Sequence, residues 1–419
     1  MVKQRKTRRF AGPVDMMISA LREPTPPAGR PVDTRSPFVR TAELLAGVTP
    51  AKPPINLSVG EPQHPIPAFV APILAAHVNE FGRYPAGKGT DHFRRSAAAW
   101  LDRRYALSRA VDPDCELLAL NGTREGLFLA AIAAKRFVGA RGGRPAILLP
   151  NPFYAAYAAG AAAAECESVY LPATRETSFL PDLDALDDSL LARTVAFYLA
   201  SPANPQGAVA DLSYLTRLAA LARRFGFLVF SDECYSEIYT RAAPHGILAA
   251  AGSDFSNVLV FQSLSKRSNL PGLRVGFVAG DRRFIQKFLD LRNVAAPQVP
   301  MPAQEVAAAA YADEAHVDEN RRLYAQKFDL ADQIVGDRYG YVRPPGGFFL
   351  WLDVAAQGGS EAATMKLWRD GGVRVLPGRY LAREQADGLN PGADYIRVAM
   401  VHDQATTADA LHRIVAVLG

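Results

Sequence analysis

From about residue 90 the chain alternates between stretches with apolar residues at helical spacing and short apolar runs without alternation. Phe93, Ala97, Trp100 and Leu101 recur at helical intervals behind a Thr90/Asp91 cap, which predicts a helix over 91–105. The run 116–120 predicts a strand that passes through Asn121, Gly122 and Thr123 into a helix over 124–137. Further strands are predicted at 146–149, 194–199, 227–230, 258–261 and 274–279. Polar signatures follow several of these runs: Asn151 after the first, Ser201 to Pro205 after the second, Ser231-Asp232 after the third, Ser263 to Lys266 after the fourth. Apolar runs without alternation imply strands covered on both faces, in a mostly parallel sheet. The C-terminal ends of such strands are where an open α/β sheet holds its ligand crevice.

Helices dominate from 281 to about 334, followed by strands at 348–354 and 395–401 and a closing helix from Thr406. This predicts a second, smaller α+β domain. The expected divisions are a basic, proline-rich arm over 1–34, a segment 35–55 joining the small domain, a large domain over 56–295 and a small one over 296–419. Most of 10–37 reads as extended, and the Ala-rich stretch 154–164 as a packed helix.

Composition narrows the classes. The chain has 419 residues, 49% of them hydrophobic, which is ample for a large core and for two or three domains. The net charge of +5 is concentrated at one end: Lys3, Arg5, Lys6, Arg8 and Arg9 account for it, leaving a body near neutrality. Such a tract can meet nucleic acid or anionic lipid, but a solvated arm is the simpler reading, and Met16 or Met17 would permit a later start. We expect no nucleic-acid or membrane partner: the basic start lacks an apolar secretory core, and no apolar segment is long enough to span a bilayer. Cys115, Cys166 and Cys234 are dispersed, as suits a reducing cytoplasm, and neither they nor the seven histidines have metal-ligand spacing. No catalytic metal is expected.

The chemistry concentrates in Ser263-Leu-Ser265-Lys266, followed by Arg274, with Asp232 and Tyr235 upstream. A lysine, two hydroxyls and an arginine at this spacing can hold one phosphorylated aldehyde. An acid ending an apolar strand can keep a pyridine nitrogen protonated. Together they indicate a site for pyridoxal 5′-phosphate (PLP). Gly122-Thr123-Arg124 opens a helix whose free N–H groups suit a phosphate. Tyr154 could stack on a pyridine ring, and Asn204 or Tyr235 could reach its oxygen. Arg397, in a late apolar strand, has the fork that grips a carboxylate. Each residue also has a plainer reading: surface charge for Lys266, a cap or ion pair for Asp232, a turn for Asn204, core packing for Tyr154 and Tyr235, a structural ion pair for Arg397.

These pieces, in this order, resemble the class I/II aminotransferases of PLP fold type I. The ordered set is Gly60-Glu-Pro62, Tyr84-Pro85, Asn121-Gly-Thr, Asn151-Pro-Phe-Tyr154, Asn204-Pro-x-Gly207, Asp232-x-x-Tyr235, Ser263-x-Ser-Lys266, Arg274 and Arg397. The resemblance implies an α/β fold with a mostly parallel seven-stranded sheet and a smaller α+β domain. It implies that Lys266 is the covalent attachment point and proton shuttle, that Asp232 contacts the ring nitrogen, and that Asn204 and Tyr235 contact the ring oxygen. By the same resemblance Tyr154 stacks on the ring, and Thr123, Arg124, Ser263, Ser265 and Arg274 bind phosphate. Arg397 takes the substrate carboxylate with Gly60 nearby, and Tyr84 reaches the neighbouring site of a homodimer. Asn56 to His64, Ser231 to Tyr239, Lys266-Arg-Ser-Asn269 and Val375 to Glu384 are closer to the proteobacterial N-succinyldiaminopimelate aminotransferases of lysine biosynthesis. Substrates would be amino and keto acids, with glutamate as donor. Lys88 and Arg267 are candidates for the extra carboxylates of such a substrate. Aspartate, aromatic or other acyl-diaminopimelate specificity, a PLP lyase or synthase, and a non-catalytic PLP-binding regulator are the alternatives.

Overall fold

Twelve strands order the computed structural model, which describes residues 35–419; the expected arm 1–34 and its basic tract lie outside the described residues. The strands are β1 (Ile55–Asn56), β2 (Leu117–Leu120), β3 (Ala146–Asn151), β4 (Glu167–Pro172), β5 (Thr194–Ala200), β6 (Leu228–Asp232), β7 (Val258–Ser263), β8 (Gly276–Gly280), β9 (Phe349–Asp353), β10 (Val373–Arg374), β11 (Leu376–Pro377) and β12 (Tyr395–Ala399). Seven of them form one sheet in the order β2-β8-β7-β6-β5-β3-β4. Only β8 runs against its neighbours, pairing antiparallel with both β2 and β7. The C-terminal ends of β2, β3, β5, β6 and β7 therefore share one edge.

Successive side chains of these strands enter opposite cores, as the two-residue period requires. Val229, Val258 and Val260 join one cluster with Trp100, Leu215 and Val306. Phe230, Leu259 and Phe261 join another with Leu127, Tyr157 and Phe288. The first cluster takes residues from the helices Asp91–Tyr105, Leu212–Phe225 and Met301–Ala312, the second from Thr123–Val138, Ala155–Ala163 and Arg282–Ala295. Helices thus cover both faces of the sheet. A third core gathers β9, β12 and residues of the helices Ala315–Ile334, Gly359–Gly371 and Gln404–Leu418. β12 lies between β11 and β9, antiparallel to both, which is the smaller α+β assembly.

Three differences from the sequence reading have physical causes. β4 was not among the expected strands. It sits at the sheet edge, where four of its six residues are only partly buried, so it has no apolar run to mark it. The expected strand 274–279 begins instead at Gly276, because Arg274 adopts a left-handed conformation (φ 58°) that ends the preceding turn. The stretch 10–37 is not extended at its end. Ser36 caps the helix Pro37–Leu44 by accepting the Val39 N–H at 3.2 Å, and Pro37 occupies the first position, where no N–H is required.

Candidate active site

The sheet edge formed by the strand C-termini, together with the segment around Gly60, borders a cavity of about 580 Å³. Lys266 reaches it from the short helix Leu264–Arg267 that follows β7. Ser263 caps that helix, its hydroxyl accepting the Ser265 N–H at 3.1 Å and lying 2.8 Å from the Ser265 hydroxyl. The Lys266 amine donates to the Gly60 carbonyl at 2.5 Å and lies 5.3 Å from the centre of the Phe348 ring. Burial lowers its pKa to about 8, so the uncharged amine is accessible near neutrality.

Asp232 is the last residue of β6. Its Oδ2 accepts the Tyr157 hydroxyl at 2.7 Å and its Oδ1 the Cys234 N–H at 3.3 Å. Burial raises the carboxyl pKa, and these two neutral donors only partly offset it. The carboxylate thus lines the cavity without a cation bonded to it. A protonated ring nitrogen would supply what this site lacks.

Beside it the helix Thr123–Val138 begins at Gly122 (φ 77°), with no side chain capping its free N–H groups. Those groups and the positive helix end favour an anion. A Cβ at Gly122 would run into the Arg274 guanidinium, which donates to the carbonyls of Pro271 at 2.8 Å and Asn121 at 3.3 Å. Thr123, Ser263, Ser265 and Arg274 line the same cavity. Arg124 also lines it, its Nε donating to the Tyr154 hydroxyl at 2.6 Å. These groups fit a phosphate, and with Lys266 and Asp232 they fit PLP.

Arg397 projects from β12, lines the same cavity and is 4% exposed. Its two terminal nitrogens donate to Asn204 Oδ1 at 2.9 Å and to the Ser58 carbonyl at 2.7 Å, above the Phe349 ring at 4.3 Å. Both partners are neutral, and burial lowers the guanidinium pKa to about 10. A substrate carboxylate would balance this charge. Tyr235 packs edge-on against Phe348 and Phe349, and burial raises its phenol pKa.

Every residue expected at the cofactor or at the α-carboxylate, except Tyr84, lines this one cavity. Tyr84 lies elsewhere and is 98% exposed. Two expectations need correction. Arg267 is 1% exposed and points away from the cavity, donating to Ala310 O and Glu314 Oε1 between the Trp100 and Tyr311 rings. Consecutive residues of a helical turn point about 100° apart, and here that step turns Arg267 toward Ala310 and Glu314 while Lys266 lines the cavity. Lys88 Nζ lies 3.9 Å from Asp114, and its side chain is not part of the lining. The sequence reading missed Tyr157. Its only signal is a second tyrosine one helical turn after Tyr154, and nothing local shows that it reaches Asp232. Among the described residues no cluster of three or more His, Cys, Asp or Glu side chains could hold a metal.

A family model for "Aminotransferase class I and II" matches residues 52–414. The chain belongs to the class I and II aminotransferases. Members of this family use PLP. The aminotransferase is similar to the crystal structure of an aminotransferase from Neisseria meningitidis, at 37% identity and a TM-score of 0.86, with 92% of this chain and 98% of that one covered. It is similar to LL-diaminopimelate aminotransferase 2 of Nostoc sp., 27% identical over 86% of this chain and 90% of that protein. It also resembles the structure of a probable N-succinyldiaminopimelate aminotransferase from Thermus thermophilus, at 25% identity and a TM-score of 0.80, with 91% of this chain and all of that one covered.

Proposed function

We propose that this aminotransferase moves an amino group between glutamate/2-oxoglutarate and N-succinyl-LL-2,6-diaminopimelate, using Lys266 as the reacting lysine and Arg397 as the carboxylate clamp. The observation that carries the reading is Arg397: a buried guanidinium bonded only to neutral oxygens, lining the same cavity as a lysine whose amine is held near pKa 8. PLP, when bound, supplies the aldehyde for amine attachment and a ring that spreads the negative charge left when the substrate α-proton departs.

The chain's own residues do the rest. Arg397 orients the substrate by its α-carboxylate, with the Asn204 amide holding the guanidinium in place. Lys266 Nζ takes the α-proton and returns it, which its low pKa permits at neutral pH. Asp232, its charge partly supported by Tyr157 and the Cys234 N–H, would hold a proton at the pyridine nitrogen. Asn204 and Tyr235 would donate to the ring oxygen, and Tyr154 would stack on the ring. The Thr123 helix end, Ser263, Ser265 and Arg274 fix the phosphate. Tyr84 completes the cradle in a second copy of the chain, so the active form is a homodimer, and we place it in the cytoplasm.

The succinylated substrate is supported by the sequence resemblance and by the Thermus relative's name. The Nostoc relative's name favours a second reading, unacylated LL-diaminopimelate. A panel of keto and amino acids scored for glutamate-dependent conversion separates them. The succinylated substrate is expected to give the highest kcat/KM; equal or better turnover of the free diamino acid, aspartate or an aromatic acid would displace it.

A further inference from the structure

Lys327 is 2% exposed, yet its hydrogen-bond partners are an imidazole and a carbonyl: His64 Nε2 at 2.7 Å and Met400 O at 3.1 Å. An ammonium can only donate, so His64 Nε2 accepts and the ring proton lies on Nδ1. Nδ1–H then donates to Asn320 Oδ1 at 2.6 Å. That bond turns the Asn320 amide nitrogen toward the carbonyls of Lys266 at 3.1 Å and Arg267 at 3.4 Å. At the other end of the same short segment, the Gly60 carbonyl accepts the Lys266 amine. Segment 60–64 is therefore tied to Lys266 twice, directly at the amine and through Asn320 at the backbone.

We propose that Lys327, His64 and Asn320 are positioning residues, a directional hydrogen-bond relay that keeps segment 60–64 and the Lys266 turn in register and so aims the Lys266 amine into the cavity. This rests on Lys266 being the reacting lysine. The relay is directional because each atom has one role: Lys327 Nζ donates, His64 Nε2 accepts and Nδ1 donates, Asn320 Oδ1 accepts and Nδ2 donates.

The relay also has a defined breaking point. His64 is faced by the Tyr324 ring at 4.5 Å and by Lys327, Asn320 and the charge of Glu319, all on the helix Ala315–Ile334; Asp403 acts on Lys327 from the last helix cap. Protonating His64 would set an N–H against the Lys327 ammonium, two donors and two like charges. Burial first, and Lys327 after it, hold the His64 pKa below its ordinary value, so the relay opens only in acid.

The test uses Lys327→Met and His64→Gln in the full-length enzyme, with two readouts. The first is the pH profile of kcat. Removing the neighbouring cation in Lys327→Met is expected to move the acid limb up by about one pH unit. His64→Gln is expected to remove the limb and lower kcat roughly tenfold through misaiming, with KM changed little. The second readout is the 15N NMR tautomer of His64 in cofactor-free protein, expected to be Nδ1–H in the wild type and mixed in Lys327→Met. An unchanged acid limb in both variants, or a wild-type Nε2–H tautomer, overturns the relay while leaving the aminotransferase reading intact. Absence of transamination in the wild type overturns that reading instead. Should Lys327→Met fail to fold, His64→Gln and the wild-type tautomer each still decide the matter.

Discussion

At the scale of single residues, the site is a set of charges awaiting partners. Lys266, Asp232 and Arg397 are each desolvated, and each has a shifted pKa for that reason. Tyr157 is the residue that moderates Asp232. Tyr157→Phe removes the phenol donor and leaves the carboxylate less well held, so kcat at neutral pH is expected to fall roughly tenfold, the worth of one hydrogen bond to a charged group. Steady-state kinetics on the purified variant check this, and an unchanged kcat would count against the Asp232 role. Arg397→Lys keeps the charge but loses the fork. KM for glutamate is expected to rise on the order of a hundredfold, with kcat less affected. Most site residues were legible in the sequence because their types and order carry the chemistry. Arg267 was misread because adjacency to Lys266 in sequence says nothing about direction around a helical turn. Tyr157 was missed because its contact with Asp232 depends on how a helix packs against β6.

At the scale of elements, the segment after β6 is anchored from behind. Glu233, next to Asp232, is buried, and its carboxyl accepts from Ser231, Ile247 N–H and Tyr105, each at 2.8 Å. Burial pushes its pKa up to about 7 from an unfolded value of 4.5. Between these pH values the unfolded chain has lost the proton while the folded protein keeps it. Stability from this group is therefore full below 4.5 and lost as pH rises through about 7, by on the order of 3 kcal/mol. Glu233→Gln is expected to flatten the denaturant midpoint across that range, and a parallel, undiminished slope would refute the assignment. At the head of the helix Thr123–Val138, Gly122→Ala meets both a positive φ and the Arg274 guanidinium. It is expected to weaken PLP retention at least tenfold, measured by dialysis and absorbance, through strain and a displaced phosphate clamp. The buried strands were legible because doubly covered strands are apolar throughout. β4 was not, because an edge strand is only half covered. The short pair β1 and β10 was not, because two residues carry no period.

At the scale of the whole molecule, three cores hold the cavity's walls on separate elements: the sheet supplies Asp232 and the Lys266 turn, while β12 supplies Arg397. No helix among the described residues is long and apolar enough to cross a membrane. Tyr84, almost fully exposed, is the one residue expected at the cofactor that lies outside the cavity. If it serves a second copy, hybrids of a Tyr84→Phe chain with a Lys266→Ala chain will contain one site lacking both groups and one with both intact. Such hybrids are expected to retain about half of the wild-type activity per dimer, with one wild-type-like cofactor affinity; uniformly weakened sites would place Tyr84 elsewhere. Fold class and family were legible from the order of motifs along the chain. The assembly was not, because an interface leaves no period in sequence.

The claim on which all of this depends is that the Lys266 amine joins PLP. The direct measurement is borohydride reduction of the full-length protein incubated with PLP, followed by peptide mass mapping. The expected result is the cofactor's mass fixed at Lys266 alone, with none fixed in Lys266→Ala protein of unchanged melting temperature. A label on another lysine, or no label on well-folded protein, would contradict the account.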